Sequence, residues 1–180
     1  MADGQKATGD TDPVILVDAD DVQIGTAGKL DAHQRGLRHR AISVLVKNGS
    51  GEFLLQQRNP AKYHSGGLWT NTCCSHPQRD LTLLESARVR LRQELGFETE
   101  LHEAFSFVYR AADPASGLTE HEFDHVVFGR FDGEPVPNPD EVSAWRWVEP
   151  RALRDDISAH PERYTPWFKI VLDRVLSTVA

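Results

Sequence analysis

Apolar positions along the chain follow two periods, and the points where one gives way to the other mark the elements. Residues 14–17 are a short apolar run that predicts a strand, and a polar stretch follows over 18–36. His39-Arg-Ala-Ile-Ser-Val-Leu-Val46 predicts a buried strand, and residues 53–57 a returning one. Between them lies Lys47-Asn-Gly-Ser-Gly51, a turn by its chemistry because Asn-Gly favours positive φ. These two strands are therefore expected to form a hairpin. Residues 59–77 carry neither period and hold Gly66-Gly67, two cysteines, two histidines and a tryptophan. A long irregular segment inside a compact domain is usually functional.

The pattern then turns helical. Thr82-Leu-Leu-Glu85 is a capping box, Leu84, Ala87, Leu91 and Leu95 form an apolar stripe, and Gly96 stands where a helix ends. Arg88, Arg90, Arg92 and Glu94 lie off that stripe. Strands are predicted over 105–109 and 123–131 with a turn-rich 113–117 between them, then a loop over 135–140 and a strand over 144–148. A last helix starts at Thr165 with Pro166 at its first position, where the missing N–H costs nothing, and continues through Ile170, Val171, Arg174 and Val175. Helices and strands are interspersed, with hairpins rather than regular βαβ alternation, which predicts a mixed α/β sandwich.

Composition narrows the class. A length of 180 residues suits one domain with a sizeable core. Residues 1–12, polar and rich in Gly and Asp, are expected to be a disordered tail, which leaves 13–180 as the domain. The formal net charge of -7 argues against non-specific affinity for nucleic acid or an anionic membrane. No run approaches the ~20 apolar residues of a membrane span, and the N-terminal residues lack the apolar core of a secretory signal. The two cysteines, Cys73 and Cys74, are adjacent, which excludes a disulfide scaffold and points to a reducing cytoplasm.

Several residues could carry chemistry. Glu120 and Glu122 are two apart on a predicted strand and share a face, where their charges repel unless a cation or a shared proton relieves them. With His33, His39, His76 and His121 near these or other candidate ligands, a metal is an economical answer, and the mixed nitrogen and oxygen set suits Zn, Mn, Fe or Mg. The alternative is a solvated acidic strand end. A thiol of the Cys73–Cys74 pair is a candidate acid, base or nucleophile, with packing as the usual fate of a free cysteine. Spacing alone does not separate the two. Lys29, Arg58, Lys62 and Arg90 supply the forks and point charges that a diphosphate requires, and Glu94 could hold a divalent cation on it. Their plain reading is a solvated charged surface. Tyr109 and Trp167 offer aromatic faces to a cation, or simply pack.

Together these residues resemble the type 1 isopentenyl-diphosphate Δ-isomerase family, from about Lys29 to Ile170. The specific segments are Leu68-Trp-Thr-Asn-Thr-Cys-Cys-Ser-His-Pro77, Glu120-His-Glu122 and Thr165-Pro-Trp-Phe-Lys169, with His33, Gly36-Leu-Arg-His-Arg40, Gln56-Gln-Arg58 and Ala61-Lys62. The resemblance implies a single-domain Nudix-type α/β/α sandwich with a mixed sheet. It implies interconversion of isopentenyl and dimethylallyl diphosphate by protonation and deprotonation of the alkene. Cys74 and Glu122 would be catalytic, and Tyr109 and Trp167 would line the hydrocarbon end. His33, His39, His76, Glu120 and Glu122 would hold one divalent metal, Mn²⁺ or Zn²⁺. Glu94 would hold Mg²⁺ on the diphosphate, helped by the main-chain carbonyl of Cys74. Lys29, Arg58, Lys62 and Arg90 would bind the diphosphate. No flavin or nicotinamide is expected, because the reaction is redox-neutral. The expected partner is the small diphosphate substrate, with no nucleic acid and no membrane, on a cytoplasmic monomer.

Two alternatives share the fold. A Nudix diphosphohydrolase gathers cations with Arg-Glu-x-x-Glu-Glu, but the matching Val89-Arg-Leu-Arg-Gln-Glu94 keeps only the final carboxylate. A non-catalytic module that binds a nucleotide or protein would have no use for Cys74 with Glu122 or for a five-ligand cluster.

Overall fold

The central strand β3 (His39–Lys47) is buried from Ala41 to Val46, as expected of a strand covered on both faces. A computed structural model describes residues 13–62, 64–113 and 116–178, so the tail predicted over 1–12 lies outside the described residues. Along one edge β3 pairs in parallel with β8 (Leu118–Arg130), from His39↔Glu122 to Lys47↔Arg130. Its other edge meets β1 (Pro13–Val17) at Leu16↔His39 and β6 (Cys73–Ser75) at Ser43↔Cys74. The sheet therefore mixes parallel and antiparallel pairs.

Several expectations change in detail. β4 (Phe53–Arg58) meets β3 at Lys47↔Phe53 and then diverges to pair with β5 (Trp69–Thr70) and β9 (Val142–Val148), so the predicted hairpin is splayed. The strands predicted over 105–109 and 123–131 are the middle parts of a longer hairpin, β7 (Leu101–Asp113) with β8. The polar stretch over 18–36 contains an edge strand, β2 (Gln23–Gly28), and a short helix, α1 (Lys29–Arg35). A further helix, α3 (Pro150–Ala159), begins at a Glu149 cap followed by proline.

α2 (Leu83–Leu95) forms where its capping box requires: Thr82 Oγ1 accepts from Glu85 N–H and the Glu85 carboxylate accepts from Thr82 N–H. Gly96 ends it at φ 72°, a left-handed conformation that favours glycine. Ala87, Leu91 and Leu95 pack with Ile42, Val44, Val46 and Leu54 on one face of the sheet. Burying each leucine contributes about 1.5–3 kcal/mol. On the other face, α3 through Leu153 and α4 (Pro166–Thr178) through Phe168, Val171 and Val175 cover Leu45, Phe53, Leu55 and Val126. The result is an α/β/α sandwich. Among the described residues no helix is long and apolar enough to cross a membrane.

Candidate active site

Strand alternation separates the two cysteines. Cys74 lies opposite Ser43 and shares its face, whereas Cys73 turns to the other face and is fully buried in the cluster beneath α2. Cys74 lines a cavity of about 340 Å³. Glu122 lines the same cavity from β8, on the opposite edge of β3. The Cys74 thiol donates to Asn71 Oδ1 at 2.9 Å. Burial first, then the nearby Asp124 carboxylate, pushes this thiol up to about 12 against the pull of Asn71, so the resting group holds its proton.

Three imidazoles and a carboxylate converge beside it. One ligand atom from each of His33, His39, His76 and Glu122 lies within 4.8 Å of the others. The paired position His39↔Glu122 brings His39 Nε2 to 3.5 Å from Glu122 Oε1, and His76 Nε2 stands 3.4 Å from the same oxygen. His33 Nδ1–H donates to Lys29 O at 2.6 Å, and His39 Nδ1–H to Leu37 O at 2.8 Å. Those carbonyls turn both Nε2 atoms inward, where a neutral ring offers its lone pair. There His39 Nε2 meets His76 Nε2 at 3.2 Å, and His33 Nε2 meets Glu120 Oε2 at 2.9 Å. Converging lone pairs and carboxylates are the donor set of a divalent cation, so the residues fit one.

The charges of this cluster follow from their neighbours. Burial opposes the Glu122 charge, but His39 and His76 hold its carboxyl well below the usual range. Burial would lower His33, yet Glu120 lifts it above the ordinary imidazole value. His76 is lowered to about 4, first by burial and despite Glu122.

The cationic end of the cavity is built by β4, the loop after it and α2. Arg58, Lys62, Arg90 and Lys29 all line it, as does Glu94. Gly66 closes the loop: a side chain there would start 2.6 Å from Pro60 O and 2.8 Å from Lys62 O. Glu94 is a buried group, not a helix-surface charge: its Oε1 meets Arg90 and its Oε2 accepts from Gln56 Nε2 at 2.8 Å. Lys62 and Arg90 also share Glu141, a carboxylate that the aperiodic loop pattern did not single out.

Other residues here were not singled out from the sequence. His64 places Nε2 2.7 Å from Glu120 Oε1 and stacks on Trp167 with ring centroids 5.4 Å apart. Asp124 is fully buried, accepts from Ser43 Oγ at 2.7 Å, and is raised well above the carboxylate range by burial and then by Glu122. Its position two residues beyond Glu122 on the same strand face was the available clue. Trp167 lines the cavity and carries the Arg58 guanidinium 5.3 Å from its ring. Tyr109 is not among the cavity-lining residues. It reaches Glu122 from the core, its hydroxyl donating to Oε2 at 2.6 Å.

Comparison with known proteins gives one family and a consistent set of relatives. Residues 37–168 match the NUDIX domain model. "Isopentenyl-diphosphate Delta-isomerase 2" of Aromatoleum aromaticum is 54% identical over 92% of this chain and 87% of its own length. "Isopentenyl-diphosphate Delta-isomerase" of Serratia proteamaculans is 47% identical over 88% of each. Among solved structures, DR0079 of Deinococcus radiodurans aligns with a TM-score of 0.74 at 22% identity, covering 91% of this chain and 98% of that one, a likeness of fold.

Proposed function

The chain belongs to the NUDIX domain family and, within it, to the isopentenyl-diphosphate Delta-isomerases, and from that premise we propose which residues carry the reaction. The enzyme interconverts isopentenyl and dimethylallyl diphosphate. Lys29, Arg58, Lys62 and Arg90 bind the diphosphate, with Glu94 and the main-chain carbonyl of Cys74 holding Mg²⁺ on it. His33, His39, His76, Glu120 and Glu122 hold a second divalent ion, Mn²⁺ or Zn²⁺. When bound, these ions supply charge neutralisation at the diphosphate and fix the charge and orientation of Glu122.

Cys74 and Glu122 are the acid and base. One C–H bond forms at one end of the allylic unit and another breaks at the other end. The group that gives the first proton loses it, and its partner gains the second. The reaction is reversible, so each residue is acid in one direction and base in the other. No electron changes hands, and neither flavin nor nicotinamide is required. Positive charge builds at the tertiary carbon between the two sites. The Trp167 ring lines the cavity and offers its π-electrons to that charge. Bound substrate that fills the cavity displaces the water that would otherwise capture it. Tyr109 orients Glu122 through its hydroxyl hydrogen bond. What supports this reading most is that Cys74 and Glu122 reach one cavity from strands on opposite edges of β3.

The same reading takes residues 13–180 as one domain and the working unit as a monomer. The adjacent free cysteines favour the cytoplasm. The diphosphohydrolase reading is weaker, because α2 presents Arg90 where that chemistry needs carboxylates. The test is isopentenyl diphosphate with the metal-loaded enzyme in D₂O, followed by ¹H and ³¹P NMR. Dimethylallyl diphosphate with deuterium in a methyl group and intact diphosphate signals is expected. Release of phosphate without isomerisation would overturn the reading.

A further inference from the structure

Proton transfer to an alkene carbon lacks the hydrogen bond that guides transfer to oxygen or nitrogen. The protein must therefore aim the donor itself. The side chain of Asn71 is placed to fix the sulfur of Cys74, about which the S–H bond turns. It is fully buried, with two N–H donors and two lone pairs on Oδ1 to satisfy. Nδ2 donates to Val44 O at 3.1 Å and to Cys73 O at 2.8 Å. Turning the amide over would set Oδ1 against both carbonyl oxygens, so its orientation is fixed. Oδ1 then accepts from the Cys74 thiol at 2.9 Å and from the Thr70 hydroxyl at 2.9 Å. With its hydrogen committed to Asn71, Thr70 Oγ1 accepts from Trp167 Nε1–H at 3.0 Å and from Thr165 at 3.0 Å. Both N–H donors and both Oδ1 lone pairs of Asn71 are used, and the thiol's longer contact, 4.0 Å to Ser43 Oγ, is to a hydroxyl whose own hydrogen goes to Asp124.

We propose that Asn71 is a positioning residue for the isomerisation: with Thr70 it fixes the Cys74 sulfur beside the Trp167 wall, and the thiol hydrogen turns from Asn71 Oδ1 to the alkene carbon when it is transferred. Neither Asn71 nor Thr70 is among the residues that line the cavity, so both act through their neighbours. The inference rests on the assignment of Cys74 and Trp167 above.

The test compares Asn71→Ala, Thr70→Val and Thr70→Ser in the full-length, metal-loaded enzyme. It reads kcat, KM for isopentenyl diphosphate, bound metal, and the infrared S–H stretching band of Cys74 in a Cys73→Ala background. Asn71→Ala should lower kcat by about 10²-fold, the scale of a misplaced reacting group, with KM and metal content nearly unchanged. Thr70→Val should lower kcat by about tenfold, and Thr70→Ser should keep the wild-type rate. The S–H band should rise in frequency in Asn71→Ala, where the thiol loses its acceptor. It should fall in Thr70→Val, where Oδ1 is no longer shared. If Asn71→Ala does not fold, the Thr70 pair decides. An S–H band unmoved in the folded variants overturns the proposal, as does a kcat loss matched by lost metal or an equal rise in KM. An active wild type with an inactive Cys74→Ala, alongside unmoved Asn71 and Thr70 readouts, would refute only the positioning role. A wild type that does not isomerise would refute the functional assignment itself.

Discussion

Replacing Glu94 by glutamine keeps its shape and removes one buried charge. Glu94 is only 5% exposed, with Arg90 on one oxygen and Gln56 Nε2 at 2.8 Å on the other. Burial alone would raise its pKa, but Arg90, Gln56, Lys62 and Arg58 together hold it below the usual carboxylate range. A hydrogen bond to a charged group contributes about 1.5–3 kcal/mol. The amide oxygen can keep one of the two acceptor roles, and Arg90 retains Glu141 at 3.7 Å. Glu94→Gln should therefore cost about 2–4 kcal/mol near neutral pH. With a urea slope of about 2 kcal/mol/M, the unfolding midpoint should fall by about 1–2 M. The folded pKa lies below the unfolded value of about 4.3. The wild-type advantage is thus complete above that pH and disappears as pH falls through the folded value. Urea titrations of both proteins, in neutral and in acid buffer, measure the gap. Equal midpoints near neutral pH, or a gap that widens in acid, would refute this account of Glu94.

Two further outcomes follow from the same geometry. Arg58→Ala and Lys62→Ala should weaken substrate binding by about 1.5–3 kcal/mol each, read as a rise in KM; wild-type KM in both would remove that side of the cavity from the diphosphate site. His39→Ala, His76→Ala and Glu120→Gln should each lower the divalent metal retained on purification, measured by elemental analysis, and activity should fall with it. Unchanged metal in all three would dissolve the cluster.

Elements whose side chains declare one buried face were readable from the chain. α2 is the clearest case, since Thr82 and Glu85 mark its start and Ala87, Leu91 and Leu95 its buried stripe. β2 is exposed or half-exposed along its length, so no alternation marks it. α1 has seven residues and no side-chain cap, too little for a periodic signal. α3 buries Leu153, while its Glu149-Pro150 start was a cue available in the sequence. The parallel pairing of β3 with β8 joins residues more than eighty positions apart, and local pattern carries no trace of it. That pairing brings His39 beside Glu122; the residue types alone left a metal and a solvated acidic strand end both open, and the five-residue set came from the family resemblance. Glu94 could be read as a cation ligand or as a helix-surface charge, because it lies off the α2 stripe, and its burial shows only in the folded chain. His64 lies in the aperiodic segment over 59–77, where spacing carries no information, and it becomes visible only through its contacts with Glu120 and Trp167.

The account turns on which thiol works. The direct measurement is the isomerisation rate of metal-loaded Cys74→Ala beside Cys73→Ala, followed by ¹H NMR in D₂O with bound metal determined in parallel. Cys74→Ala should keep its metal and lose about 10²–10⁴ or more in rate, because no other side chain is placed to move that proton. Cys73→Ala should keep most of the rate, with some loss of stability from its place under α2. An active Cys74→Ala enzyme, or a folded but inactive Cys73→Ala enzyme, would contradict the assignment.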